Sequence, residues 1–298
     1  MFTGTYQPDL QVHPKYDGTR SCSLKNNSPA GTVVHRDTIL MAMWLSHEPP
    51  NPAEFMIFPP ESAFSSCFET LDSQSKHQFS LLGDKSAITT YEIFLRNAIR
   101  FPAIVGCGIF IPAHGIPFEH CCTPNTICVA EPGTNKIEFR LTKPVARNEI
   151  ITLCYCPASV PKADRDWYLQ SYCGIKNHSC PTCQPGNYQQ SDSRRKLFFD
   201  TQNILTLQVP FTTGEEQNIL QEVYRLYQIA SEQSLEPYLW EFLCQAEFLA
   251  RMAGLNCRRN IIDILLDVMI IQAGSDHPAY IKAHRFRLDT IGLCGRLG

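Results

Sequence analysis

Residues 178–183 hold a histidine and two cysteines at spacings that suit a metal ion. The thiolates of Cys180 and Cys183, separated by two residues, can both bind one tetrahedral zinc ion at about 2.3 Å. His178 can add an imidazole, an accepted zinc ligand, from the same turn. We therefore predict a zinc site here; the alternative is an unligated pair of cysteines in a loop.

Three other segments share this part of the chain. They are residues 120–125 (HCCTPN), residues 148–155 (NEIITLCY) and the pair Tyr172 and Cys173. Together with residues 178–183 they resemble, in this order, the C-terminal half of a SET domain. That family shows Asn-His-Ser-Cys-x-Pro-Asn, then Gly-Glu-Glu-ϕ-x-ϕ-x-Tyr, then a post-SET Cys-x-Cys-x-x-Cys. Residues 28–34, 96–98 and 108–110 are similar to segments of its N-terminal half, so the resemblance covers roughly residues 18–185.

The resemblance implies a protein-lysine methyltransferase that uses S-adenosylmethionine, zinc and a protein substrate with a target lysine. It makes Cys122 the fourth zinc ligand, beside His178, Cys180 and Cys183. The Tyr-Cys pair is similar to the SET and MYND-type branch and its fungal relatives, although the sequence contains no MYND zinc module. His178 stands where the family has a cysteine.

Catalysis is assigned by the resemblance to Tyr155, with Tyr172 as a second wall of the lysine channel. Methyl transfer to an amine is an in-line displacement that needs a neutral amine held in a dry channel. A buried tyrosine hydroxyl can hydrogen-bond the amine, and burial lowers the pKa of the lysine. The alternative is a tyrosine that simply fills the core at the end of a strand.

The positions aligned with the family's cofactor contacts are altered. Two glycines of its first loop correspond to Thr19 and Ser21, whose side chains crowd the backbone approach that glycine permits. The cofactor-holding asparagine corresponds to Glu119, a carboxylate that can accept bonds from the cofactor's amine but repels its carboxylate. The predicted cofactor-binding residues are Thr19, Arg20, Ser21, Glu119, His120 and Tyr155.

These alterations leave three hypotheses open. The first is a methyltransferase, of activity weakened by the altered positions. The second is a SET-like protein that has lost methyl transfer and acts elsewhere, for example in small-molecule biosynthesis. The third is a non-enzymatic interaction protein that uses its C-terminal helices, because helical arrays often present concave binding faces.

These residues must be positioned by strands and helices, and the sequence pattern predicts an α+β protein. Short β-type runs separated by glycine, proline and asparagine indicate a compact β-rich domain. The resemblance implies that this domain is a SET fold with an inserted helical and loop segment, followed by a zinc-bound post-SET segment. Apolar residues at three- and four-residue steps after residue 215 predict an all-helical C-terminal region. The predicted domains are an N-terminal arm (1–17), a SET-like domain (18–172, insert approximately 45–100), the post-SET zinc segment (173–186) and a helical domain (187–298).

At finer detail, residues 67–83 are expected to be mostly loop, and polar residues 187–195 to be a linker. The net charge of −3 over 298 residues, without a long basic run, argues against sequence-specific nucleic acid binding. The 14 cysteines do not form a small secreted disulfide framework, because the chain is too long for that class. A polar start and the lack of long apolar runs predict no membrane association and a place in the cytoplasm or nucleus.

Overall fold

The protein was analysed as a computed structural model. It describes residues 9–14, 20–45, 59–83, 89–102, 107–115, 118–130, 134–158, 160–176, 178, 180–207, 216–252, 258–273, 280–281 and 284–285. Strands and helices are both abundant, so the α+β class predicted from the sequence is confirmed. No helix within these ranges is long and apolar enough to span a bilayer.

A five-stranded antiparallel sheet forms the centre of the N-terminal part. Its order is β4-β5-β3-β8-β7, and its strands are β3 (Val33–Leu45), β4 (Ile99–Pro102), β5 (Cys107–Pro112), β7 (Thr126–Ala130) and β8 (Lys136–Leu141). β3 is long enough to pair with β8 through its first half and with β5 through its second. Phe139, Ile137 and Leu141 of β8 are fully buried, which gives one side of the sheet an apolar core.

Two small strand pairs flank this sheet. β1 (Leu10–Pro14) and β2 (Arg20–Leu24) form an antiparallel ladder. β6 (Glu119–His120) and β9 (Thr152–Leu153) pair in parallel, which brings segments more than thirty residues apart in sequence side by side. The buried Asn125 holds this crossing: its amide donates to the carbonyl of Ile150 at 2.9 Å, and its oxygen accepts the backbone N–H of Thr152 at 2.8 Å.

Three helices lie between β3 and β4: α1 (Glu61–Glu69), α2 (Ser73–Ser80) and α3 (Thr90–Asn97). The prediction that residues 67–83 are mostly loop is therefore wrong. The Asp72 side chain caps α2 by accepting the Ser75 backbone N–H at 2.7 Å, and Phe79 is completely buried against Phe64. One cap and one buried aromatic ring stabilise a helix whose other side chains are largely polar.

The C-terminal region consists of α4 (Lys162–Cys173), α5 (Tyr188–Leu207), α6 (Glu216–Gln233), α7 (Leu239–Met252) and α8 (Arg258–Ala273). The linker predicted at residues 187–195 is instead the first part of α5. Apolar faces of α5 to α8 share one core that contains Phe198, Leu226, Leu243 and Val268. The described residues of this region are therefore mostly helical, and its limits as a separate domain remain a prediction.

This helical region packs directly on the sheet. Gly31, which precedes β3, has a positive φ of 80°, and a side chain there would begin 3.1 Å from the carbonyl oxygen of Ile270 in α8. The guanidinium of Arg195 in α5 is 1% exposed and donates to the carbonyl oxygens of Cys122 at 2.6 Å and Ala158 at 2.8 Å. Gly31 and Arg195 therefore mark where these helices join the N-terminal part, while the apolar faces of the helices pack on one another.

Candidate metal centre and tyrosine site

Four residues from distant parts of the chain converge in one cluster. Cys122 follows β6 and His178 follows α4, while Cys180 precedes a single 3-10 turn, Pro181–Cys183, that ends with Cys183. The backbone N–H of Cys183 donates to the carbonyl of Cys180 at 2.9 Å, so the turn directs both thiols to one side. The structure thus brings together the four residues predicted as metal ligands.

The distances suit a tetrahedral ion. The four donor atoms all lie within 4.8 Å of one another. The Cys122 sulfur is 3.5 Å from the Cys183 sulfur and 3.5 Å from Nε2 of His178. Two thiolates on one zinc ion are ~3.8 Å apart, given Zn–S bonds of about 2.3 Å. A Cys3His set with this spacing is an appropriate donor set for zinc.

Charged groups surround this cluster in a way that suits three thiolates and a dication. Arg165 of α4 is fully buried, and its guanidinium lies 3.7 Å from the Cys183 sulfur and 3.0 Å from a carboxylate oxygen of Asp192. A zinc ion with three thiolates carries a net charge of −1, which the guanidinium offsets. Neutral thiols would give this buried cation less compensation.

His178 presents its two ring nitrogens to different partners. Nε2 faces the Cys122 sulfur, and Nδ1 lies 3.1 Å from Oδ1 of Asp166, an ion-pair contact rather than a well-aligned hydrogen bond. The carboxylate favours the proton on Nδ1, which leaves the Nε2 lone pair for a metal. In the metal-free chain, hydrogen bonding to Cys180 and Cys183 raises the pKa of His178 to about 9.

A second histidine touches the same cysteine. Nε2 of His120 lies 3.4 Å from the Cys122 sulfur, and Nδ1 accepts the backbone N–H of Tyr155 at 3.1 Å. Burial, helped by the charge of His178, lowers the pKa of His120 to about 3, so its imidazole is neutral. His120, Cys122 and Cys156 form a second group of donor atoms within 4.8 Å of one another.

Tyr155 is the second residue after β9 and lies next to this cluster. Its hydroxyl donates to the backbone carbonyl of Phe118, and its ring packs 5.7 Å from that of His120. The side chain borders two apolar cores, one of which contains Cys122, Cys180 and Cys183. Burial raises the pKa of Tyr155 well above its usual value, so the group remains a protonated phenol.

Tyr172 lies in the last turn of α4 and packs against the same apolar core as Tyr155. Its closest aromatic neighbours are Tyr168, with ring centroids 4.9 Å apart, and Trp167 at 5.5 Å. Trp167 is 52% exposed, so this end of the core reaches the protein surface. The role of Tyr172 as a wall of the lysine channel stays a prediction.

The predicted cofactor residues are less fully defined. Thr19 lies outside the described residues, and Arg20 is described only as the first backbone position of β2. Ser21 is 5% exposed and sits opposite His13 in the β1–β2 ladder. Glu119 is half-buried on β6, opposite Thr152, and β6 contacts β2. Ser21 and Glu119 are therefore on neighbouring strands, as a shared cofactor site would require.

Sequence reasoning missed the groups that surround the predicted metal ligands. The sequence assigns no role to Arg165 and Asp166, and Arg195 falls in the predicted linker. Their signal was a run of charges in α4 and α5 that no apolar periodicity predicts as buried. Only the three-dimensional structure places Arg165 and Arg195, at 0% and 1% exposure, beside the cysteines.

No protein-family model and no curated protein match the chain. Among solved structures, apo ctPRC2 with two substitutions in Ezh2 aligns with 96% of this chain and 33% of that chain, at 12% identity and a TM-score of 0.28. Autoinhibited ctPRC2 bound to S-adenosylmethionine aligns with 96% of this chain and 33% of that chain, at 13% identity and a TM-score of 0.27. The chain spans about a third of the length of these chains. Likeness this weak fixes neither family nor activity.

Proposed function

We propose that the chain is an S-adenosylmethionine-dependent protein-lysine methyltransferase of SET type, acting in the cytoplasm or nucleus and closed by a zinc-bound segment. One observation carries the proposal. Cys122 meets His178, Cys180 and Cys183 in one cluster, and Tyr155 lies beside it. These are the residues on which the resemblance to SET proteins depends, and they come from segments that are far apart in sequence.

Zinc would have a structural role in this proposal. Three thiolates and one imidazole leave no open coordination position on a tetrahedral ion, so the centre would not activate water. It would fasten residues 173–186 to the loop after β6. Because such sites form only in the folded chain, zinc binding contributes directly to folding free energy.

Tyr155 would orient the substrate amine. Its proton is engaged by the Phe118 carbonyl, so the phenol oxygen has lone pairs left to accept an N–H bond from a lysine amine. S-adenosylmethionine would supply an electrophilic methyl group. The dry surroundings of Tyr155 would disfavour the charged lysine, and a fixed phenol would hold the nitrogen in line for attack. Since Tyr155 stays protonated, it positions the amine and does not remove its proton.

The test is a thermal-shift titration of zinc-loaded protein with S-adenosylmethionine and with its demethylated product. Both should raise the melting temperature, since ligand at 100 times its Kd stabilises the native state by about 2.7 kcal/mol. Tyr155→Phe should bind the cofactor but lose methyl transfer to lysine peptides. Tyr224→Phe, on the exposed side of α6, is the matched control and should behave as the parent. Absence of any shift with zinc bound would contradict the proposal.

A second candidate is a SET-like protein that has lost methyl transfer and binds a small molecule. The half-buried carboxylate of Glu119 favours it, because it would repel the carboxylate of S-adenosylmethionine. Zinc-loaded protein that binds no S-adenosylmethionine, but regains binding in Glu119→Asn, would favour this candidate.

The third hypothesis, an interaction protein, has less support because the C-terminal helices bury their apolar faces in their own core.

A further inference from the structure

Two groups of donor atoms compete for Cys122. The first contains His178, Cys180 and Cys183, and the second contains His120 and Cys156. If both held an ion, Cys122 would be a thiolate bridge between two metals. Distance alone does not distinguish a mononuclear from a binuclear centre, because the donor atoms of each group lie within 4.8 Å of one another. The hydrogen bonds of the two histidines distinguish them.

A neutral imidazole has one N–H and one lone pair, and only the nitrogen with the lone pair can bind a metal. In His120 the lone pair of Nδ1 is already used, because it accepts the backbone N–H of Tyr155 at 3.1 Å. The N–H is therefore on Nε2, which faces the Cys122 sulfur at 3.4 Å. That nitrogen is a donor to the sulfur and has no lone pair for a second ion.

His178 has the opposite arrangement. Its Nδ1 faces the Asp166 carboxylate, so in the neutral ring that binds a metal the lone pair is on Nε2, which lies 3.5 Å from the same sulfur. The two rings are 5.2 Å apart and nearly perpendicular, so they approach Cys122 from different directions. One histidine is thus suited to ligate the ion, and the other to donate to a thiolate that ligates it.

We propose that His120 is a positioning residue that couples the metal centre to Tyr155: its Nε2–H donates to the metal-bound thiolate of Cys122 while its Nδ1 fixes the Tyr155 backbone. The inference rests on the proposed zinc centre and on the proposed role of Tyr155. A metal-bound thiolate is a stronger acceptor than a neutral thiol, so zinc loading tightens the His120 ring. Removal of zinc weakens that bond and releases the Tyr155 backbone. The centre holds one ion.

The tautomer is measured directly by long-range nitrogen–proton NMR of histidine-labelled, zinc-loaded full chain, after its metal content has been determined. We expect one zinc per chain and a His120 signal with the proton on Nε2. A proton on Nδ1, or two zinc ions per chain, would overturn the inference while leaving the zinc centre in place. A folded chain without zinc would instead defeat the proposed function itself, so the two failures are distinguishable.

Two substitutions of His120 test the roles of its two ring nitrogens separately. His120→Gln keeps an N–H donor near the Nε2 position, and His120→Asn keeps an acceptor near the Nδ1 position. In cadmium-substituted protein, the asparagine variant should shift the ¹¹³Cd resonance and weaken metal binding roughly tenfold or more. The glutamine variant should stay close to the parent. His77→Gln, exposed on α2, is the control. Equal cadmium spectra for the asparagine variant and the parent would refute the donor role.

Discussion

Asp166 provides a sharp test of the metal centre because it touches the site only through His178. Its Oδ1 lies 3.1 Å from Nδ1, where a carboxylate favours the proton and raises the basicity of Nε2. Removing such a partner typically weakens metal binding roughly 10–100-fold. The Asp166 side chain is 41% exposed, so water screens the charge and we expect the lower end of that range. Asp166→Asn should therefore weaken zinc binding roughly tenfold, or about 1.4 kcal/mol.

The assay is a competition titration of zinc between the protein and a fluorescent chelator at fixed pH. Lys162→Met is the matched control: it removes the other ion-pair partner of Asp166 but leaves the carboxylate beside His178. That variant should bind zinc at least as tightly as the parent, because the free carboxylate becomes more basic. Equal zinc affinity for Asp166→Asn and the parent would refute the expectation that the Asp166 carboxylate supports metal binding through His178.

Three further predictions concern stability. Arg195→Met should lower the free energy of unfolding, measured by urea titration, by roughly 2–5 kcal/mol. The substitution leaves the carbonyls of Cys122 and Ala158 without the hydrogen bonds that the guanidinium donates. A loss below about 1 kcal/mol would contradict this expectation. Gly31→Ala should cost about 1–3 kcal/mol, because of the positive φ and the nearby Ile270 carbonyl; an unchanged melting temperature would place α8 elsewhere. Burial raises the pKa of Glu236 from 4.5 to about 7, so the folded chain binds its proton more tightly and stability falls as pH rises through 7. Glu236→Gln should therefore stabilise the protein by roughly 1–3 kcal/mol at pH 8 and by almost nothing below pH 4.5. Thermal melts in which the variant and the parent differ by the same amount at both pH values would contradict this expectation.

The strands around the site were predictable where short apolar runs end at turn residues. β7 (Thr126–Ala130) and β8 (Lys136–Leu141) are such runs, and α8 follows its helical periodicity. α2 was not predictable in this way, because a single buried ring, Phe79, holds it in place. Tertiary packing decides such a short helix, and its own periodicity is too weak to show it.

The start of α5 was missed for a different reason. Its residues are polar and look like a linker, yet Ser191 and Arg195 are buried and bonded to each other, and Ser191 also donates to Gln233. A polar residue in sequence does not reveal whether its partners will be water or protein. Buried polar networks therefore escape a prediction based on hydrophobic pattern.

The residues of the proposed metal centre were more predictable than their surroundings. Cys180 and Cys183 could be proposed from their spacing, and Cys122 and Tyr155 from the family resemblance. The contact of His120 with Tyr155, which lie 35 positions apart, depends on the parallel pairing of β6 with β9. No local pattern encodes that pairing, so the coupling between the two sites needed the structure.

The most direct test of the zinc centre is the metal content of the purified full chain, measured by inductively coupled plasma mass spectrometry after dialysis. The account predicts one zinc ion per folded chain. The double substitution of Cys180→Ser and Cys183→Ser should retain none, whereas Cys244→Ser, exposed on α7, should retain the full amount. A folded parent chain without zinc, or a double variant that still holds its ion, would contradict the account.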